Sequence, residues 1–450
     1  MTQRFYRDSS IPFRGVAIRR TFVVVSALLS MAVVAAAALP ASSVAAAVRF
    51  TAPIFVGFAG GDDWEPDIAA DRSGHVYVVW AHYGGVPGCN TCSSPAAMIQ
   101  ISNDGGRHWS DAKPLNPHPR PAKDTFQVDL QVKVNRAGIV FAAYLDAKDT
   151  ILQRSDDFGE HFSDPIAVNA GLRGETDKVG LAVQGDDVYV SFSIVHRFYV
   201  ASSHDGGRSF TATRQIVPGE GTAFTLTSGG VIDSDGNVFF SWVSVHEHGK
   251  RLSPQDLFLT KSEDGGSTWS TIFLEKGLPQ GPDCDAFSCG WDFWGPQMVV
   301  GIDSSDRLYV LYNAGLSEKG PPSMWFRTSE DEGASWTARV VIQGDGVGSY
   351  HVFPAIVGAG RNQVRLSWMD NRTGLFNTWY RSSNDGGASW SAEAQVSQFV
   401  DGFPYKTPAG YNFTYGDYYG MAFDGSRVHI AWGEAPDYIG PGNVWYARSR

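Results

Sequence analysis

Basic residues are scarce in this chain. Lys and Arg number 36 against 47 Asp and Glu, a formal charge of −11, and only 18% of residues are charged. That balance argues against nucleic acid as a partner, because phosphate backbones are held by clustered Lys and Arg. Long apolar runs are almost absent. The only one, Phe22 to Leu39, lies near the N-terminus, so the body of the chain is expected to be soluble and without stable membrane insertion. Cysteine is limited to Cys89, Cys92, Cys284 and Cys289, and no EF-hand spacing occurs. Glycine, by contrast, is plentiful at 50 residues, and aromatics reach 13%. Turn-formers mixed with strand-formers predict many short strands joined by tight turns.

Residues 1–47 read as an export signal. Arg14, Arg19 and Arg20 precede the apolar run, and Ala41-Ser42-Ser43 and Ala45-Ala46-Ala47 follow it. Cleavage near Ala47 is expected, by the Sec or twin-arginine route, giving a secreted protein; an uncleaved anchor is the alternative. Export to an oxidising compartment predicts two local disulfides, Cys89 with Cys92 and Cys284 with Cys289, over a four-cysteine metal site.

One motif recurs six times: Ser-x-Asp-x-Gly-x-x-aromatic. Its serines are Ser102, Ser155, Ser203, Ser262, Ser329 and Ser383, separated by 53, 48, 59, 67 and 54 residues. Its aromatics are Trp109, Phe162, Phe210, Trp269, Trp336 and Trp390. The Ser and Asp side chains suit a turn held by backbone hydrogen bonds, and glycine supplies positive φ. This motif resembles the Asp box of the sialidase superfamily, and the likeness covers residues 48–450. The resemblance implies a β-propeller in which each box lies between the third and fourth strands of a blade, away from the active face. Trp368-Met369-Asp370-Asn371-Arg372 and Gly416-Asp417-Tyr418-Tyr419-Gly420 resemble stretches of bacterial secreted sialidase-like or glycosyl-hydrolase-like proteins.

Strand signals precede each box, as in Asp67-Ile68-Ala69-Ala70 and His75-Val76-Tyr77-Val78-Val79-Trp80. A seventh repeat stops at Val444-Trp445-Tyr446-Ala447-Arg448, where its box would begin. Arg49-Phe50-Thr51-Ala52-Pro53-Ile54-Phe55-Val56, ahead of repeat 1, is left to complete it. The expected fold is all-β, one propeller of seven four-stranded antiparallel blades whose last blade is closed by the N-terminal strand. Six blades, the number in sialidases proper, is the alternative.

Alternating strands place the box turns on one face and the inter-blade loops on the other, where propeller sites usually lie. Aligned on the second strand, the starts of the inner strands carry Glu65, Asp129, Asp177, Thr227, Gln297, Phe353 and Asp417. A second column, two residues past the second-strand aromatic, carries His82, Asp146, Ile194, Ser244, Ala314, Asp370 and Glu434. The acids overlap on blades 6, 7, 1 and 2 and point to a site, with contacts to backbone amides as the structural alternative. In a glycosidase two carboxylates serve as acid and base or nucleophile, so Asp370, Asp417 and Glu65 are the catalytic candidates. Arg372, Asp129, Asp146, Asp177, Tyr415, Tyr418, Glu434 and His82 are the candidates for substrate binding. No cofactor and no metal site are expected, calcium being the alternative for so acidic a cluster. The resemblance implies a tyrosine nucleophile and three arginines gripping a carboxylate, but no Arg-Ile-Pro element precedes the first box. Two readings follow: a secreted, monomeric glycoside hydrolase acting on an extracellular glycan, or a propeller that binds a glycan, peptide or envelope partner without turnover.

Overall fold

The computed structural model describes residues 46–58, 60–117, 126–194, 197–211, 214–216, 222–248, 251–252, 255–278, 297–315, 321–346, 348–374, 376–399, 419–434 and 442–450. The chain divides into a unit at 1–43 and a unit at 44–450. The first unit, with nearly all of the predicted export signal, lies outside the described residues; the second is a seven-bladed propeller.

Each blade is an antiparallel sheet whose strands follow one another from the axis outward. In blade 1 these are Asp62–Ala70, Val76–Tyr83, Ala96–Ser102 and Lys113–Pro114. Blades 2 to 6 repeat the order, starting at the inner strands Gln127–Val134, Thr176–Gln184, Thr222–Ile232, Met298–Ile302 and His351–Gly358. Blade 7 is made of Gly420–Phe423, Val428–Glu434 and Asn443–Arg448, and its fourth strand is Ile54–Val56 from the N-terminal side. Ile54 pairs with Tyr446 and Val56 with Val444. Further out, Thr51 N–H donates to Arg448 O and Arg450 N–H to Arg49 O, both at 2.9 Å. The closure predicted from the unpaired ends is thus observed. No helix occurs among the described residues, so none there is long and apolar enough to cross a membrane.

The second strands are buried on both faces, since each blade is sandwiched between two others. Val76 to His82 are all buried, as are Val140 to Asp146. This explains why these stretches read as nearly continuous apolar runs. Trp80, Trp242, Trp368 and Trp432 occupy one position of this strand in blades 1, 4, 6 and 7, and all four are fully buried. Each stabilises its blade junction by roughly 1.5–3 kcal/mol or more through apolar burial.

The six Ser-x-Asp turns are built alike. The serine hydroxyl donates to the aspartate at 2.7–3.0 Å and accepts the glycine amide at 2.8–3.0 Å. The residue six after the serine gives its amide to one carboxylate oxygen and its side chain to the other. It is His108, His161, Ser209, Thr268, Ser335 and Ser389 in turn. The terminal aromatic reaches the preceding blade: Trp109 meets Tyr446 edge-on at 4.9 Å, and Trp390 meets Phe326 at 4.9 Å. Gly105 N–H donates to Gly74 O at 2.7 Å and Gly386 N–H to Asn362 O at 2.8 Å. These bonds put the turns on the same face as the hairpins between inner and second strands, and leave the opposite face to the other loops.

Candidate functional site

The inner strands do not run straight into the channel. In blades 1, 2, 3, 4 and 6 a β-bulge interrupts their pairing with the second strand, between Trp64 and Asp67 in blade 1 and at the matching places elsewhere. The bulge puts Glu65, Asp129, Lys178 and Phe353 at φ of 52–56°. That region costs a non-glycine residue about 1–3 kcal/mol unless its surroundings hold it. For Asp129 and Lys178 the holding groups come from the preceding blade. Asp129 N–H donates to Glu65 Oε2 at 3.0 Å, and Lys178 N–H donates to Asp129 Oδ2 at 3.1 Å. Lys178 Nζ lies 3.4 Å from Asp129 Oδ1. One step inward the pattern repeats: Val132 N–H donates to Asp67 Oδ2 at 2.9 Å and Leu181 N–H to Gln131 Oε1 at 3.1 Å. Glu65 and Asp129, proposed from sequence as catalytic and binding groups, fasten neighbouring blades through backbone amides.

The bulge also corrects the column. In blade 3 the residue matching Glu65 and Asp129 is Lys178, whereas Asp177 is an exposed neighbour. In blade 4 the match is Ser228 in place of Thr227, which shares a 2.9 Å hydroxyl contact with Ser191. Phe353 keeps its place.

The second column is buried. Asp370 is fully buried and accepts Trp368 Nε1–H at 2.8 Å. Arg372 clamps the same carboxylate, donating from Nε at 2.9 Å to one oxygen and from its terminal amine at 2.6 Å to the other. Burial pushes the Asp370 pKa up despite Arg372. The guanidinium also donates to Glu393 at 2.6 Å, approaches Asp345 at 3.5 Å and lies over the Trp379 ring at 4.0 Å. Burial works to raise the Asp345 carboxyl, but His351 and Arg372 hold it down at about 2. Arg372 is therefore occupied by three carboxylates of the protein itself.

The same tryptophan device recurs in blades 1 and 7. Trp80 Nε1–H donates to Asp63 at 2.8 Å, and buried His82 contacts that oxygen at 2.6 Å. Trp432 Nε1–H donates to Glu434 at 3.2 Å. The other Glu434 oxygen is buried and finds no hydrogen-bond partner among the described residues. Burial raises the Glu434 carboxyl well above its ordinary range, only partly offset by Trp432. Asp146 is buried and accepts Gln127 Nε2–H at 3.3 Å, while Gln127 Oε1 accepts Ala97 N–H from blade 1.

Asp417, Tyr415 and Tyr418 lie outside the described residues, as do Cys284 and Cys289. Cys89 and Cys92 are joined by a disulfide. Among the described residues no group of three or more His, Cys, Asp or Glu is arranged to hold a metal ion.

One cavity draws on every blade. It lies on the axis and opens to solvent. Its polar lining is Asp67, Gln131, Lys178, Thr227, Ser228 and Gln297, and Val179, Leu226, Val299, Pro354 and Tyr419 form apolar walls. Tyr419 donates from its hydroxyl to Ser367 at 2.9 Å, and burial raises its pKa well above the ordinary value. A hydroxyl so placed is no ready nucleophile. The lining contains one ammonium and no guanidinium. Sequence reasoning missed Asp67, Gln131 and Lys178. The signal was available for the first two, because each stands two residues beyond a residue of the inner-strand column.

No family model matches the chain, and no curated protein matches it. Solved structures do match in fold. A protein of unknown function from Dyadobacter fermentans is 14% identical, with a TM-score of 0.51 over 90% of this chain and 99% of that one. The Hadza microbial sialidase Hz136 is 12% identical, with a TM-score of 0.47 over 90% of this chain and 98% of that one. The NanB sialidase from Streptococcus pneumoniae is 13% identical, with a TM-score of 0.48 over 88% of this chain and 70% of that one. At these identities the likeness is one of fold: this chain is similar in fold to a protein of unknown function.

Proposed function

We propose that this is an exported Asp-box propeller that binds a neutral glycan end in its axial cavity and does not hydrolyse it. The observation that carries this reading is the chemistry of the axial lining. Asp67, Gln131 and Lys178 bond to neighbouring blades, as Glu65 and Asp129 do, but the lining as a whole brings donors and acceptors from several blades to one cavity. Sugar hydroxyls both donate and accept, so a lining of amides, hydroxyls, one carboxylate and one ammonium suits them. The apolar walls suit the C–H faces of a sugar ring. Asp67 and Lys178 bring opposite charges, so the lining does not select a strongly charged ligand. A glycosidase would need two carboxylates flanking the bond, and among the described lining residues Asp67 is the single carboxylate.

Binding to a panel of neutral oligosaccharides and sialosides, measured beside release from the matching aryl glycosides, tests the reading. Binding of at least one neutral glycan without release above the blank is expected. Lys178→Met should weaken that binding about tenfold, which corresponds to about 1.4 kcal/mol. Release of sugar from any substrate would overturn the non-catalytic reading, and binding untouched by Lys178→Met would overturn the assignment to the axial cavity.

A further inference from the structure

A second cleft opens on the rim, where blade 3 meets blade 4. Its empty volume is about 530 Å³, open to solvent, between Arg214, Gln215 and Ile216 on one side and Ser267, Thr268, Trp269 and Thr271 on the other. The residue two before the motif serine lies on the third strand and in several blades reaches out to the preceding blade's outer edge. Gln153 donates to Leu115 O at 3.2 Å, Arg327 to Leu274 O at 2.9 Å, and Arg381 to Ile342 O. In blade 4 that residue is Thr260, whose hydroxyl is already the acceptor for Trp242 Nε1–H at 2.8 Å. It makes no such bridge, and neither does Ala201 at the matching position of blade 3.

We infer that this cleft is a binding site for a sugar bearing a carboxylate, separate from the axial cavity. Arg214 makes no ion pair with any described residue, and its planar fork of donors matches a carboxylate. Beside it stand the Trp269 indole as an apolar platform and the hydroxyls of Ser267 and Thr271. Gln215, which accepts from Arg197 at 3.5 Å, stands next to Arg214. The Trp269 N–H is held by Gly266 O at 3.1 Å, which fixes the ring. One cation, one aromatic and several hydrogen-bonding groups favour a sugar acid over a neutral sugar, because only the acid offers the guanidinium a charge-assisted bond. The axial lining, with its paired charges, lacks that preference.

Titration of the full chain with D-glucuronate and with D-glucose, followed by ligand-observed NMR, tests this site. Glucuronate should bind at least about tenfold more tightly than glucose, and Arg214→Ala should remove that advantage. Arg214 is exposed, so the variant is expected to fold, and an unchanged thermal midpoint verifies it. Lys178→Met should leave glucuronate binding intact, which separates this site from the axial one. Equal affinity for the two sugars, or glucuronate binding insensitive to Arg214→Ala, would overturn the inference.

Discussion

The Asp370 carboxylate has no exposure, and Arg372 supplies its charge-assisted bonds. Removing the guanidinium strands a buried charge beside Asp345 and Glu393, which costs about 3–5 kcal/mol when a buried pair is broken. Arg372→Ala is therefore expected to lower the urea unfolding midpoint by that equivalent. Asp370→Asn keeps an acceptor for Trp368 and should cost less. Neither change should alter glycan binding by the material that stays folded. Loss of binding in Asp370→Asn at unchanged stability would place this carboxylate in the site and contradict the account. Glu434 makes a second case. Its folded pKa is raised above the unfolded value, so its destabilising effect appears as pH rises through the unfolded pKa and grows toward the folded one. Glu434→Gln should accordingly increase stability at pH 8 and leave it nearly unchanged at pH 4, read from urea midpoints at both pH values. At this scale the sequence was only half legible. The acids stand in the expected columns, but whether a carboxylate faces a ligand or a neighbouring amide depends on partners 64 and 49 residues away, as for Glu65 and Asp129.

Among the elements, the Ser-x-Asp turn is the most regular. Its aspartates are held well below the usual carboxylate range. The largest cause is the His108 amide for Asp104 and the His161 amide for Asp157. For Asp205, Asp264 and Asp331 it is the hydroxyl of Ser209, Thr268 and Ser335. A carboxyl with a depressed folded pKa contributes stability that is present above its unfolded pKa of about 3.9 and lost as pH falls toward the folded one. Urea midpoints should thus fall between pH 4 and pH 2, and less steeply when Ser209, Thr268 and Ser335 are all replaced by alanine. An equal acid response in the triple variant would show that other carboxylates govern it. The turn was legible because its residues are local, within eight positions. The inner-strand bulge was not, because nothing in Asp177-Lys178-Val179-Gly180 announces an extra residue, and a one-residue slip exchanged Lys178 for Asp177.

For the whole molecule, seven repeats with two incomplete ends were enough to give seven blades and the closing strand, since an open ring would leave two unpaired edges. The axial cavity was harder to read. Its walls come from residues between Asp67 and Tyr419, spread over seven blades, and converge only when the ring closes. The rim cleft was harder still, because its two sides come from the outer strand of blade 3 and the Ser-x-Asp turn of blade 4, more than 50 residues apart in the chain. A crystal structure of the protein soaked with the tightest-binding neutral oligosaccharide would show where the glycan binds and whether it is cut. An intact glycan is expected, its terminal ring between Asp67 and Lys178 on the propeller axis. A glycan cleaved in the crystal, or one bound elsewhere with the axial cavity empty, would contradict that expectation.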